Sequence, residues 1–394
     1  MLEMLEFAQQ LVGIAGESGQ EEEVARRVKE QLESLSFDDV WVDDAGNVLA
    51  RIKGKKKHSQ RTVLFDAHMD TVGVEDAGAW QYPPHGGQIV KGRLYGRGAV
   101  DMRGALAAMV YGLASLDRHQ LEGQVYFSAS VCEEILEGAA FSQVLTATEP
   151  DGVVIGEPTG LAVACAQRGR AELALQVQGK TAHSAWPTRG LCAVEGFCRA
   201  HLAMMELEPP EHPQLGKGIT VLTDVVSTPY PGRSVVPFMC RATLDRRLLP
   251  GEKIEDVVHE LMQKAQSATS LPLQLEVVEG EVVTYTGYEI KRRKLFLPWE
   301  LSARHPLMTS ARDALRARGL PAELTTYAFC TNGSASAGER GIPTIGFGPG
   351  EESEAHQADE SVSIDELKAA MEGYQALALG LSMHPSRQLS LLDL

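Results

Sequence analysis

Two histidines and four acidic residues of this chain are of types that can bind divalent metal ions, and they occur in short motifs along the sequence. They are His68 in V-L-F-D-A-H-M-D, Asp101 in G-R-G-A-V-D-M-R-G, Glu133 and Glu134 in S-V-C-E-E, Glu157 in V-V-I-G-E-P-T, and His356 in E-A-H-Q. Most of the N-terminal clusters follow short apolar runs, which places them at the carboxyl ends of predicted strands, where open α/β sheets hold their sites. The set divides into two metal sites of imidazole and carboxylate ligands that share one carboxylate.

The H-x-D spacing of His68 and Asp70 suits a metal-bound histidine. The imidazole can bind a metal through one nitrogen while the carboxylate of Asp70 holds the other and fixes the tautomer. Asp101 follows a glycine-rich turn, where the backbone can approach a metal closely and two carboxylate oxygens can bridge two ions. Each pattern also has a plainer interpretation: a strand-end histidine with a local polar partner, and an aspartate at a helix N-cap.

The adjacent acids Glu133 and Glu134 end a predicted buried strand. Neighbouring carboxylates repel unless protons or cations compensate them. One can therefore bind a metal while the other acts as a general base on a water. Glu157 also ends a buried strand, which Pro158 stops from continuing. Taken singly, two solvated acids or a free surface histidine at His356 would be unremarkable.

Composition and charge exclude several classes of protein. The 394 residues are 44% hydrophobic and 23% charged, which favours a two-domain globular protein. The six scattered cysteines form no C-x-x-C pair, and a net charge of −16 argues against nucleic acid as a partner. The one basic run, Lys53 to Arg61, fits a solvated turn. With neither a signal peptide nor a membrane span in the pattern, we expect a soluble cytoplasmic protein.

Alternating apolar segments and amphipathic helices predict an α/β fold, with helices on the faces of a sheet. From about residue 170 the order becomes βαββαβ, which predicts an inserted ferredoxin-like α+β unit. We therefore expect a catalytic domain over 1–170 and 300–394 and a lid domain over 171–299. Ser363 with Glu366 can form a capping box for the last helix, and the C-terminal R-Q-L-S-L-L-D-L is expected to dock on its own domain.

The motifs H-M-D-T-V, G-R-G-x-x-D-M-R-G, C-E-E, G-E-P-T and A-H-Q-x-x-E resemble those of the co-catalytic dizinc metallopeptidase and deacylase family. Acetylornithine deacetylase, succinyl-diaminopimelate desuccinylase and glutamate carboxypeptidase belong to it. The resemblance implies a catalytic three-layer α/β domain with a mixed sheet and a lid inserted into it. It also implies two divalent metal ions, zinc first, with cobalt or manganese as alternatives.

The resemblance assigns roles to residues of this chain. One zinc would be bound by His68, Asp101 and Glu157, and the other by Asp101, Glu134 and His356, with Glu133 as general base and Asp70 as the partner of His68. In the lid, His183 of G-K-T-A-H-S matches the histidine that contacts the scissile carbonyl oxygen, and relatives pair through the lid as homodimers. Arg247 of L-D-R-R-L matches an arginine that binds a substrate carboxylate. The alternative for Arg247 is an ion pair on the strand surface.

Two positions depart from the family pattern and bear on the substrate. Ser234 stands where many relatives have asparagine, and Asn332 where many have aspartate. D-R-R-L together with C-T-N-G-S is most similar to a subgroup called selenium-metabolism-linked hydrolases. The glutamate of G-E-P-T favours amide hydrolysis of a small N-acylated amino acid. The alternatives are a dipeptidase or carboxypeptidase on the same scaffold, and a catalytically silent scaffold used for binding.

Overall fold

The computed structural model describes residues 2–55 and 61–383. The C-terminal peptide 387–394 and residues 56–60 of the basic run lie outside this part. The chain forms two compact units: a first unit of Met1–Gln167, Glu281–Lys291 and Trp299–Leu394, and a second unit of Arg168–Gly280 and Arg292–Pro298. In the described ranges, every helix is too short or too polar to cross a bilayer.

The helices in chain order are α1 (Leu2–Val12), α2 (Glu22–Ser34), α3 (Arg103–Ala114), α4 (Phe141–Thr148), α5 (Ala193–Met204), α6 (Ile254–Ala268), α7 (Pro306–Arg316) and α8 (Ile364–Ser382). The strands of the first half are β1 (Asp39–Val42), β2 (Val48–Lys53), β3 (Thr62–His68), β4 (Gln88–Val90), β5 (Arg93–Tyr95), β6 (Gln124–Ser130), β7 (Gly152–Ile155), β8 (Val163–Gln167), β9 (Gly169–Gln178), β10 (Glu211–His212) and β11 (Gly216–Lys217). The remaining strands are β12 (Ile219–Thr228), β13 (Met239–Leu248), β14 (Leu273–Val277), β15 (Glu279–Val283), β16 (Glu289–Arg293), β17 (Leu295–Phe296), β18 (Trp299–Glu300), β19 (Leu324–Tyr327), β20 (Thr344–Gly346) and β21 (Ser361–Ser363).

The first unit is built on a mixed sheet in the order β1-β2-β6-β3-β7-β20-β8-β18, with β19 also paired to β8. All seven residues of β3 are buried because helices cover both faces of the sheet. Leu64 packs on one face in a cluster with Phe141 of α4. Phe65 points to the other face, where its ring meets Tyr374 of α8 edge-on at 6.4 Å. The three-layer α/β domain with a mixed sheet is therefore confirmed.

The second unit has an antiparallel sheet in the order β12-β13-β9-β14, with β17 also paired to β9. The residues of β9 alternate between buried and partly exposed, so one face packs on α5 and α6. Leu173 and Leu175 of β9 share this core with Phe197 and Leu261. The order β9-α5-β12-β13-α6-β14 is the βαββαβ order that the sequence predicted.

Two sequence-based expectations are wrong in detail. The segment Glu281–Lys291, expected within the lid, belongs to the first unit. The reason is polar anchoring: the Tyr285 hydroxyl donates to the Gly46 carbonyl at 2.9 Å, and the Thr286 hydroxyl to the Asp44 carbonyl at 2.7 Å. The capping box is not formed, because the Ser363 side chain makes no cap hydrogen bond.

Candidate metal centre

Three neighbouring strands deliver candidate ligands to one edge of the first-unit sheet. β3 is paired in parallel with both β6 and β7, so the carboxyl ends of all three strands meet. β3 ends at His68, which lies opposite Ser130 in the register. Glu133 and Glu157 follow the ends of β6 and β7 by three and two residues. The strand-end placement that the sequence predicted is present.

Asp101 lies between the two histidines. Its Oδ1 is 2.9 Å from Nε2 of His68, and its Oδ2 is 3.1 Å from Nε2 of His356. Burial alone would raise the pKa of the Asp101 carboxyl, but the contacts with His356 and His68 hold that pKa well below its ordinary value. Each oxygen of this carboxylate therefore faces a different set of neighbours.

The remaining acids fall on either side of Asp101. Oε1 of Glu157 is 3.5 Å from His68 Nε2. Both oxygens of Glu134 are 3.2 Å from His356 Nε2. Contacts with Asp101 and Glu134 raise the pKa of His356 to about 10, and its side chain is 48% exposed. His68 thus contacts Asp101 and Glu157, and His356 contacts Asp101 and Glu134.

The donor set fits divalent cations. Ligand atoms of His68, Asp101 and Glu134 lie within 4.8 Å of one another, as do those of His68, Glu133 and Glu157. Burial and the charge of Asp101 raise the pKa of Glu157 to about 8, and burial raises the pKa of Glu133 well above its usual range. Oε1 of Glu133 and Oε2 of Glu157 have no hydrogen-bond partner among the described residues. Buried, orphaned carboxylates of this kind need a cation or a proton.

Asp70 contacts His68 through both its backbone carbonyl and its carboxylate. Nδ1 of His68 lies 2.9 Å from the backbone carbonyl oxygen of Asp70 but 3.6 Å from its carboxylate. The carboxylate also accepts hydrogen bonds from the backbone N–H groups of Glu133 and Glu134, both at 3.1 Å, and from the Ser18 hydroxyl at 2.6 Å. Asp70 therefore contacts the histidine and at the same time fixes the backbone of the acidic pair.

Sequence reasoning did not assign a role to Glu360, which fixes Asp101. Glu360 Oε1 accepts from the backbone N–H groups of Val100 and Asp101 at 3.0 and 3.1 Å, and its Oε2 pairs with Arg97 at 2.6 Å. Burial raises the pKa of Glu360 to about 7. The sequence could have pointed to Glu360, because it is the last residue of the A-H-Q-x-x-E motif, four residues after His356.

A cavity of about 430 Å³ opens beside His356 within the first unit. Trp80 and Arg97 line it, with the Arg97 guanidinium 5.2 Å from the centre of the Trp80 ring. Glu75 and Asp76 also line it. The candidate metal cluster therefore borders a space that is large enough for a small molecule.

The two predicted lid residues lie in the second unit. His183 is exposed, and its Nδ1 accepts a hydrogen bond from the backbone N–H of Ala185 at 3.0 Å. Arg247 lies on β13, partly exposed, with its Nε 2.8 Å from Asp245. Residues two apart share a face of a strand. The ion pair left open as an alternative for Arg247 is thus present.

A family model described as Peptidase family M20/M25/M40 matches residues 64–380, which include every candidate metal ligand. The chain belongs to this family. Its relatives in the family include the uncharacterized protein YgeY of Escherichia coli (strain K12), 31% identical over 389 residues, covering 96% of this chain and 94% of that protein. Acetylornithine deacetylase of Edwardsiella ictaluri is 29% identical over 323 residues, covering 77% and 76%.

The fold agrees with solved structures of the M20 family. The YXEP protein of Bacillus subtilis, described as a dinuclear metal binding peptidase, superposes with a TM-score of 0.71 at 14% identity, covering 96% of this chain and 97% of that one. Family membership and these relatives identify the chain as a metal-dependent hydrolase. The family resemblance read from the motifs is confirmed.

Proposed function

We propose that this protein hydrolyses the amide bond of a small N-acylated amino acid with the help of two divalent metal ions. The observation that carries the proposal is the contact of Asp101 with His68 through one oxygen and with His356 through the other. His68, Asp101 and Glu157 would hold one ion. Asp101, Glu134 and His356 would hold the second, so Asp101 would contribute to both sites.

Zinc is the first choice of metal, with cobalt and manganese as alternatives. Each site offers one imidazole and two carboxylates, a mixed nitrogen and oxygen set that zinc commonly takes. When bound, divalent ions here would acidify a water and polarise the scissile carbonyl. The protein's own contribution is to position these ligands and to move protons.

Glu133 is the residue we assign to proton transfer. Its buried Oε1 has no partner in the described structure, whereas the neighbouring Glu134 contacts His356. In the proposed reaction the Glu133 carboxylate accepts a proton from the attacking water and then gives it to the leaving amine.

The second unit supplies His183 and Arg247 in this proposal. His183 would donate to the carbonyl oxygen as it becomes an oxyanion. Arg247 would bind the substrate carboxylate, exchanging or sharing its contact with Asp245. Both side chains are at least partly exposed, so a ligand can reach them.

We also propose a homodimer formed through the second unit. Strand β12 lies at the edge of the second-unit sheet, and four of its apolar side chains are more than one third exposed: Ile219, Val221, Val225 and Val226. An exposed apolar edge strand is a surface that proteins normally cover. A second copy of the same unit would cover it symmetrically.

Deacylation is favoured over peptide cleavage by the glutamate at Glu157, in the G-E-P-T motif, and by relatives named acetylornithine deacetylase. A peptidase on the same scaffold is the second candidate, since a solved structure of the same fold is a named peptidase. A silent binding scaffold is disfavoured, because the chain brings the candidate ligands together around an orphaned carboxylate.

The test is a substrate screen with protein loaded with zinc, cobalt or manganese. N-acetyl, N-succinyl and N-formyl amino acids would be compared with matched dipeptides. We expect the highest kcat/KM on an N-acyl amino acid. A preference for dipeptides would make the protein a peptidase, and inactivity of every metal form on both classes would overturn the proposal.

A further inference from the structure

The side chain of Asn332 makes three hydrogen bonds in the interior of the first unit. Its Nδ2 donates to Oδ2 of Asp66 at 2.8 Å and to the Ser130 hydroxyl at 2.9 Å. Its Oδ1 accepts from the backbone N–H of Gly138 at 2.7 Å. Only 3% of Asn332 is exposed, so its side chain belongs to the interior.

Each hydrogen-bond partner of Asn332 is close in sequence to a residue of the candidate metal centre. Asp66 lies two residues before His68 on β3, and Ser130 is the last residue of β6, three before Glu133. Gly138 lies at the far end of the segment that begins with Glu133. The side chain of Asn332 therefore links the strand that carries a candidate ligand to Ser130 and Gly138, which precede and follow the proposed base in the chain.

The chemistry of the partners requires an amide at this position. When ionised, the Asp66 carboxylate can only accept, and it already accepts from the Ser128 hydroxyl at 2.5 Å and the Ser130 hydroxyl at 3.3 Å. Gly138 presents a backbone N–H, which can only donate. One side chain must then donate to Asp66 and accept from Gly138, and the asparagine amide does both. An aspartate of the same shape would place two acceptors against each other.

The close packing of Gly138 leaves little room for the segment to relax. Its φ is +75°, a left-handed conformation that favours glycine, and an added Cβ would lie 2.7 Å from Cβ of Ala335. Ala335 belongs to the short π-helical segment Ser334–Glu339, which starts two residues after Asn332. Loss of the Gly138 hydrogen bond would thus loosen a fitted contact.

We propose that Asn332 is a positioning residue that holds the segment from Glu133 to Gly138 in register with β3. This proposal rests on the proposed function, in which Glu133 transfers the proton. Asn332 would act on the proton-transfer step through the placement of Glu133, so its loss should lower kcat and leave KM nearly unchanged.

The test compares Asn332→Asp, Asp66→Asn and the double exchange in the metal-loaded protein at mildly alkaline pH. Asn332→Asp keeps the volume but brings two buried carboxylates together, so we expect kcat to fall by ~10-fold or more with KM within ~3-fold. Asp66→Asn should be mild, because its amide can turn towards Ser128. The double exchange restores one donor and one acceptor between the two positions, and kcat should recover by ~10-fold over Asn332→Asp.

Hydrogen–deuterium exchange over residues 131–140 gives a readout that does not depend on turnover. We expect faster exchange in Asn332→Asp and protection restored in the double exchange. Normal kcat in a folded Asn332→Asp protein, or no recovery in the double exchange, would overturn the positioning role. If Asn332→Asp does not fold, a folded double exchange with kcat near that of Asp66→Asn supports the proposal, and an unfolded one contradicts it. If the wild-type protein hydrolyses no amide, only the proposed function is contradicted. The rates of hydrogen–deuterium exchange would still test whether Asn332 holds this segment, because they do not depend on turnover.

Discussion

The carboxylate of Asp70 accepts a hydrogen bond from the backbone N–H of Glu133 at 3.1 Å. Asp70 is fully buried, and its backbone carbonyl at the same time contacts Nδ1 of His68 at 2.9 Å. The position of the Glu133 main chain is thus set by groups other than the Glu133 carboxylate itself. A change at that carboxylate should leave the surrounding geometry intact.

Glu133→Gln tests the assignment of the general base. The amide cannot accept a proton, so kcat should fall by ~10²–10⁴-fold while metal content stays at the wild-type level. Steady-state kinetics measure the fall in kcat, and elemental analysis measures the metal content. The neighbouring buried acid gives a matched control, and Glu137→Gln should lose far less. Near-normal turnover of Glu133→Gln would remove Glu133 from this role.

The parts of the site that follow strand ends could be predicted from the sequence, because an apolar run followed by His68 or Glu157 fixes where the side chain emerges. The hydrogen bonds of the Asp70 carboxylate to the backbone of Glu133 and Glu134 could not, because they join residues more than 60 positions apart in the chain.

Long-range packing accounts for the other differences. Segment Glu281–Lys291 joins the first unit through hydroxyl groups of Tyr285 and Thr286, whose partners lie more than 200 residues away in the chain. A buried network such as that of Asn332 likewise depends on three separate elements. Local patterns carry no signal for contacts of this range.

Arg247→Lys tests recognition of a substrate carboxylate. Lysine keeps the charge but loses the planar fork of donors, so kcat/KM for free-acid substrates should fall by ~10-fold or more. The amides of the same substrates should lose much less. Arg241→Lys on the same strand is the control, since Arg241 contacts Gln176 and has no assigned role. Equal losses on acids and amides would indicate that Arg247 serves only its ion pair with Asp245.

Mixed dimers test whether His183 acts across a subunit interface. In that arrangement, combining inactive His183→Ala and Glu133→Gln subunits gives a heterodimer with one intact site. The activity of each heterodimer should then approach half that of a wild-type dimer. The oxyanion contact acts in the transition state, so the loss in His183→Ala alone should fall on kcat. Heterodimers that form but stay inactive would show that His183 serves its own subunit.

The buried carboxyl group of Glu21 should make the stability of the fold depend on pH. Its Oε1 accepts from the backbone N–H of Cys132 at 3.0 Å, and burial together with the charge of Asp70 raises its pKa from 4.5 to about 7. The folded state therefore binds the proton more tightly than the unfolded state. This contribution is fully present below pH ~4.5 and is lost as pH rises through ~7.

Glu21→Gln should remove this dependence. The variant should match the wild type at acidic pH and exceed it by ~1–3 kcal/mol in the free energy of unfolding above neutral pH. Urea unfolding at a series of pH values, with metal present, measures the difference. Glu22→Gln at the exposed neighbouring position is the control and should follow the wild type. Parallel curves for Glu21→Gln and the wild type would contradict the assignment.

The metal content of the purified protein tests the two-metal centre most directly. Elemental analysis of chelator-free, metal-supplemented protein should give two equivalents per chain for the wild type. In the proposed centre, His356→Ala would remove a ligand from one site only, whereas Asp101→Ala would remove the carboxylate that contacts both His68 and His356. We predict about one equivalent for His356→Ala and fewer for Asp101→Ala. Folded wild-type protein with one equivalent or none, or two equivalents retained in Asp101→Ala, would contradict a centre bridged by Asp101.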